Sequence, residues 1–261
     1  MHIYGDPALY PARPDSPFPP IAGGDIAAYL KLRAQLGLER AVVVQPSVYG
    51  FDNRATLDAM AVLGSAARGV AVVPRDVSDA ELERLTLLGI RGIRFFMIGG
   101  GALTWEDLDS LAARTAAFGW HVQMQMDGRL LEDALPRLSR LPGKLVIDHN
   151  GKFLQPVGTD HPGFRALRHL INGGRTWVKT SGVYETSVTG APGYTDVAVL
   201  ARTLIAEVPE RCLFATNWPH PSKPNDPPND AHLLDLFAGW CSNVTIAKTI
   251  LVDNPAEVYE F

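Results

Sequence analysis

Phe214-Ala215-Thr216-Asn217-Trp218-Pro219-His220-Pro221 is the stretch from which the fold is read. The apolar residues Cys212 to Ala215 make a short buried strand. Proline cannot continue a central strand, so the chain must leave the sheet near Pro219. Asn217 then stands at a strand's carboxyl end, where parallel α/β folds place their chemistry. A strand-ending turn under an aromatic lid would explain one such tetrapeptide in isolation. The reading sharpens because other expected strands end in the same polar manner.

Upstream, strand and helix signals alternate. Helices are expected over 25–37, 52–63, 78–88, 104–118, 130–139, 163–172 and 196–208, each with a capping residue or an apolar stripe at helical spacing. Ser78 and Glu81 have the spacing of a capping box. Short apolar runs between them give strands over 41–45, 69–73, 92–96, 120–126, 144–148, 176–179 and 212–215, and two further helices follow over 230–240 and 244–251. Repeated βα units of this kind build a parallel sheet, and right-handed crossovers would wind it into an open doubly wound sheet or a barrel. An α/β (β/α)8 TIM barrel fits 261 residues in a single domain. It needs an eighth strand, and only Met1-His2-Ile3-Tyr4 is left to supply the first, which is therefore expected to be largely missing. Residues 6–24, with six prolines followed by Gly23 and Gly24, have neither period and are expected as an ordered loop or a mobile flap.

Composition narrows the function. The chain is 46% hydrophobic and 20% charged, with a formal net charge of −4 and an isoelectric point near 6.0; with no basic stripe, nucleic acid is not expected as a partner. No apolar run reaches the roughly 18 residues of a membrane span, and no signal peptide is visible. Cys212 and Cys241, one in an expected strand and the other in an expected helix, make no disulfide framework, so a reducing, cytoplasmic setting is expected.

The strand ends supply one list of candidate site residues: His2 and Tyr4; Gln45, Ser47 and Tyr49; Arg94; Gln125 and Asp127; Asp148, His149 and Asn150; Lys179, Ser181, Tyr184 and Glu185; Asn217 and His220. Singly each has a structural explanation; Lys179, for instance, could be an inward lysine held by Asp148. Jointly, a ring of polar ends on one face of a barrel is a site.

Four segments then carry a resemblance: Val42-Val43-Val44-Gln45-Pro46-Ser47 with Tyr49-Gly50 and Asp52-Asn53; Arg91-Gly92-Ile93-Arg94-Phe95; Val146-Ile147-Asp148-His149 with Gly151; and Thr216-Asn217-Trp218-Pro219-His220. In this order, together with Leu251-Val252-Asp253-Asn254-Pro255-Ala256 at the end, they resemble the amidohydrolase superfamily, in the branch of D-galactarolactone isomerase and 2-pyrone-4,6-dicarboxylate lactonase. Asn217, Tyr184-Glu185, Asp127-Gly128 and Gly151-Lys152-Phe153 are similar to the isomerase side of that branch. Metal-dependent members hold a divalent ion with a His-x-His on the first strand, two further histidines and a strand-end Asp. Here His2 is the second of the first pair, His149 is one of the others, and Asn217 replaces the Asp. Two neutral ligands without a carboxylate or thiolate make a weak zinc site, so neither a metal nor any other cofactor is expected.

The resemblance implies a small-molecule lactone of the sugar-acid (aldarate) type as substrate, isomerised or hydrolysed without metal. Asn217, His149 and His2 are the candidate catalytic residues. Arg94 and Lys179 would hold a carboxylate and the developing oxyanion. Gln45, Ser47, Tyr49, Gln125, Asp127, Glu185 and His220 would read the hydroxylated face. Two other readings stay open: a metal-dependent hydrolase or decarboxylase whose first histidine lies upstream of Met1, and a sugar-acid-binding homologue without turnover. Because the resemblance places Met1-His2 at the end of a longer opening motif, a chain extended upstream is expected to be more stable.

Overall fold

The computed structural model describes residues 1–261. It has the α/β class expected, and its helices start at residues whose chemistry explains them. Helix α1 (Ile26–Gln35) is capped by Asp25, whose carboxylate accepts from the Ala28 N–H. Strand β1 (Ala41–Val44), α2 (Arg54–Leu63), β2 (Ala67–Ala71), α3 (Asp79–Leu87), β3 (Ile90–Phe96), α4 (Trp105–Ala116) and β4 (His121–Gln125) follow, then α5 (Leu131–Leu138), β5 (Leu145–Ile147), α6 (Pro162–Asn172), β6 (Thr176–Lys179), α7 (Thr195–Glu207), β7 (Cys212–Leu213), α8 (Asp230–Ala238), α9 (Val244–Lys248) and α10 (Asn254–Tyr259). The strands are hydrogen-bonded in chain order from β1 to β7, with β1 parallel to β2, β2 to β3, β5 to β6 and β6 to β7. No helix is long and apolar enough to cross a membrane, and both cysteines are free thiols.

The chain divides into two compact units. The first holds Met1–Gln123, Asn217–Pro227 and Phe261; the second holds Met124–Thr216 and Pro228–Glu260. In the first, Val43, Val70, Ile90 and Ile93 are wholly buried with Leu82, Leu108 and Leu111 of the covering helices. Beside β1 lies the place expected for a first strand. There the Met1 amino group donates to Val42 O at 3.1 Å and Val44 N–H donates to Met1 O at 2.9 Å. These two bonds are those of a single parallel bridge, Met1 against Val43. The proline-rich segment is ordered. Tyr10 Oη donates to Asp58 at 2.7 Å, the Arg13 guanidinium donates to Gly100 O at 2.6 Å, and Phe18 meets Phe96 edge-on at 5.9 Å.

Strand β2 ends at Ala71 instead of Val73, and Asn53 shows why. Its side-chain N–H donates to Val72 O at 2.8 Å and its side-chain oxygen accepts from Val72 N at 3.0 Å. The carboxamide stands where a neighbouring strand's peptide would, and it satisfies both buried backbone groups. Asn53→Asp keeps the shape and removes the donor, opposing a carboxylate to Val72 O. We expect a loss of about 1–3 kcal/mol in urea denaturation; an unchanged midpoint would mean the amide is not a strand substitute.

Two other expectations are corrected. Ser78 does cap α3, accepting from Glu81 N–H, but the Glu81 carboxylate turns to Arg84 at 2.7 Å; the reciprocal capping box is instead Thr104 with Asp107 on α4. The helix expected over 244–251 stops at Lys248 and widens into a π turn over Thr249–Asp253 before α10. Pro255 has no N–H to give the carbonyl four residues back, which loosens the coil there.

In the second unit Val146, Val178, Phe164 and Leu167 are wholly buried. Its strand β7 is shorter than expected. Thr180 N–H and Oγ1 both donate to Leu213 O, and Phe214 turns onto Phe237 with ring centres 4.8 Å apart. At the start of α7, Asp196 accepts from Ser187 Oγ at 2.5 Å, Thr189 Oγ1 at 2.7 Å and Val188 N at 2.7 Å. Burial works to raise the pKa of this carboxyl, but those donors outweigh it and hold the group at about 2. A folded-state value below the unfolded one gives stability that is complete above about pH 4 and disappears as pH falls towards 2. Asp196→Asn should therefore flatten the fall in urea midpoint across that window.

Candidate active site

The first unit gathers several expected site residues at strand ends. Arg94, buried on β3, donates to Gln45 O at 2.8 Å and lies 3.3 Å from Ser47 Oγ, with its guanidinium carbon 5.1 Å from the centre of the Phe96 ring. A small cleft opens beside it, walled by Ser47, Val72, Phe96 and Leu103. Burial pushes the Tyr4 hydroxyl far above its usual range, against the opposing pull of the Arg94 charge. His2 Nδ1 faces Val44 O at 2.8 Å. A carbonyl only accepts, so Nδ1 carries the proton, and in the neutral ring Nε2 holds the lone pair. His2 N–H in turn donates to Trp218 O at 2.8 Å, and His220 N–H to Asn217 O at 2.9 Å. Asn217 and His220 both have left-handed backbones, with φ of 56° and 62°. The 217–220 turn is thus a tightly wound one whose side chains are aimed by an unusual backbone.

Gln45 and Tyr49 belong to the framework and not to the expected polyol-reading set. Gln45 is fully buried. Its amide N–H donates to Gly50 O and Asp52 O, and its oxygen accepts from Thr56 Oγ1 at 2.6 Å. Tyr49 Oη accepts from Gly5 N at 3.0 Å.

The second unit carries a denser group at the ends of β5 and β6. After Asp148 the chain makes four consecutive left-handed residues: His149, Asn150, Gly151 and Lys152, with φ of 53°, 56°, 95° and 51°. Each non-glycine residue there costs about 1–2 kcal/mol. Asn150 Nδ2 donating to Ser181 O at 3.0 Å and Gly128 N–H donating to Lys152 O at 3.1 Å help hold it. The result is that His149 and Lys152 both reach one carboxylate. Lys152 Nζ is paired with Glu185, and Glu185 Oε2 lies 3.9 Å from His149 Nε2. On the other side of the ring, His149 Nδ1 is 3.2 Å from Ser181 Oγ. Gly182, with φ of 66°, lies under the imidazole: a Cβ built there would come within 2.5 Å of Nδ1. Lys179 Nζ is 2.9 Å from Asp148. All five of these charged or titratable side chains are nine-tenths or more buried.

The carboxylate beside His149 is Glu185. Two expected roles change accordingly. Glu185 faces a lysine and an imidazole, where the expectation was substrate hydroxyls, and Lys179, expected on a substrate carboxylate, is held by Asp148. Asp127 is likewise a structural cap. It accepts from Arg129 N–H and is held by the Arg129 guanidinium at 2.6 Å; burial would raise its pKa, but Arg129 keeps it below the usual range. Gln125 is buried at the end of β4. Lys152 entered the sequence reading only within Gly151-Lys152-Phe153, as part of the resemblance, and not as a site residue. Its signal was faint: an Asn-Gly pair, which favours left-handed backbone, between a histidine and a lysine.

No three His, Cys, Asp or Glu side chains converge as a metal site requires. Where a carboxylate ligand would stand there is the amide of Asn217, and one His2 nitrogen is committed to Val44. This donor set does not fit a divalent ion.

Comparison with known proteins adds four findings. The amidohydrolase family profile matches residues 2–261. D-galactarolactone isomerase of Agrobacterium fabrum is 37% identical over 263 residues, covering 100% of this chain and 89% of that protein. 2-Pyrone-4,6-dicarboxylate hydrolase of Comamonas testosteroni is 34% identical over 268 residues, covering 99% and 88%. Among solved structures, an apo protein of Agrobacterium tumefaciens superposes with a TM-score of 0.93 at 37% identity, over 100% of this chain and 92% of that one.

Proposed function

This chain belongs to the amidohydrolase family, and we propose that within it the protein is an enzyme that isomerises a sugar-acid lactone of the aldarate type without a metal ion. The observation that carries the reading is the buried His149–Glu185–Lys152 group. It supplies an imidazole with a carboxylate beside it, which is what a proton-moving residue needs, at strand ends where α/β enzymes keep their chemistry. The similarity to D-galactarolactone isomerase supports the substrate class. Seven parallel strands in chain order, with Met1 beside β1, agree with a (β/α)8 barrel as the frame.

Isomerisation moves an acyl group between two hydroxyls of one molecule. The free hydroxyl oxygen bonds to the lactone carbonyl carbon and yields its proton to His149. The tetrahedral oxyanion collapses, the bond to the ring oxygen breaks, and that oxygen takes the proton back. No water is consumed. Glu185 steadies the imidazolium that forms in between. Asn217 donates to or accepts from the substrate without abstracting a proton. A neutral amide suffices, because an attacking group held within the same molecule has effective molarities of roughly 10⁵–10⁸ M.

The test is proton NMR of an aldarate lactone with the purified chain, in the presence and absence of chelator. Conversion to the isomeric lactone at the same rate in both is expected. No conversion, or conversion only with added metal, would refute the reading.

A further inference from the structure

Resting on that reading of the substrate as a lactone acid, we propose that the Lys152–Glu185 ion pair is the charge-selectivity element of this enzyme: Glu185 withholds a cation that would otherwise receive a second substrate carboxylate. At the ends of β5 and β6 there are two lysines and two carboxylates, and they are matched, Lys179 with Asp148 and Lys152 with Glu185. The pairs are buried, with every side chain less than a tenth exposed, so solvent screens them little and a net charge here would act strongly on a bound anion. As built, this group offers a substrate no net positive charge. It favours a neutral, hydroxylated end of a lactone and disfavours a second carboxylate, whose desolvation nothing repays.

Geometry makes Lys152 the cation in question. Its ammonium belongs to the same left-handed turn that presents His149, and Glu185 Oε2 lies between the two, in contact with Lys152 and 3.9 Å from the imidazole. A lysine brought to the proton-moving histidine by three strained non-glycine residues, and then neutralised there, is a latent anion site.

The experiment varies charge and reads a ratio. The dissociation constants of an aldarate lactone with one carboxylate and of 2-pyrone-4,6-dicarboxylate are compared by calorimetry in wild type, E185Q, K152Q and K152Q/E185Q. Effects common to both substrates, including any on His149, cancel in the ratio. E185Q removes the carboxylate that Lys152 meets and should shift the ratio towards the dicarboxylate about tenfold or more. K152Q should shift it the other way. The double variant restores the balance of charge, avoids leaving one buried ion alone, and should return the ratio to the wild-type value. A ratio constant within twofold across the series would overturn the proposal, as would a double variant that follows E185Q. The ratio is one of binding constants, so it decides the selectivity question by itself; absence of turnover of the aldarate lactone would count against the functional reading separately.

Discussion

Gly182→Ala lowers kcat/KM for the lactone by about 10²–10⁴-fold, the usual worth of a positioned general acid–base, while the protein still folds. The new Cβ would lie within 2.5 Å of His149 Nδ1 and 2.9 Å of its Cγ. No real contact is that short, so the ring must move, and movement breaks its alignment with Ser181 and Glu185. The backbone adds its own cost, since φ of 66° is left-handed and an alanine there is strained by about 1–2 kcal/mol. Gly174 separates the two effects. It has φ of 80° and nothing within 4 Å of a built Cβ. Gly174→Ala should therefore lower the melting temperature by a similar few degrees and leave kcat/KM unchanged. If both variants lose activity equally, or neither does, His149 is not the proton-moving group.

Asn217→Asp raises lactone hydrolysis relative to isomerisation by at least tenfold. Asn and Asp are nearly isosteric, and both tolerate the left-handed backbone found at 217. The variant thus changes chemistry more than shape. A carboxylate can take a proton from water, and that ability is worth about 10²–10⁴-fold, whereas the amide cannot. Water then competes with the substrate's own hydroxyl for the carbonyl. The product ratio should be measured by NMR with chelator present, so that a metal recruited by the new carboxylate does not enter the comparison. An unchanged ratio would mean that Asn217 does not decide between water and hydroxyl.

Sequence reading went furthest where the cause is local. Helix starts at Asp25, Ser78 and Thr104 follow from side-chain oxygens within three residues of the bonds they make, and the order of strands and helices follows from apolar period. Strand ends were less legible, because a ladder stops where its neighbour stops. Val72 leaves β2 to meet Asn53, nineteen residues away, and no window of sequence contains that exchange. The candidate site divides the same way. Polar residues at strand ends were visible one by one, and the Asn217 turn announced itself through Pro219. Of their partners only one was offered by the sequence, Asp148 for an inward Lys179. Glu185 and Lys152 are thirty-three residues apart, and Asp148 was the nearer carboxylate to His149 along the chain but is taken by Lys179 in space. Gln45 looked like a substrate-reading amide for want of any sign that Gly50, Asp52 and Thr56 would consume its hydrogen bonds.

Oxygen labelling bears most directly on acyl transfer without water or metal. An aldarate lactone is incubated with the enzyme in ¹⁸O-water containing chelator, and the isomeric lactone is examined by mass spectrometry before appreciable free acid accumulates. Transfer between two hydroxyls of one molecule leaves the product unlabelled and its rate of formation unaffected by the chelator. Label in the isomeric lactone, or turnover that stops when metal is removed, would contradict it.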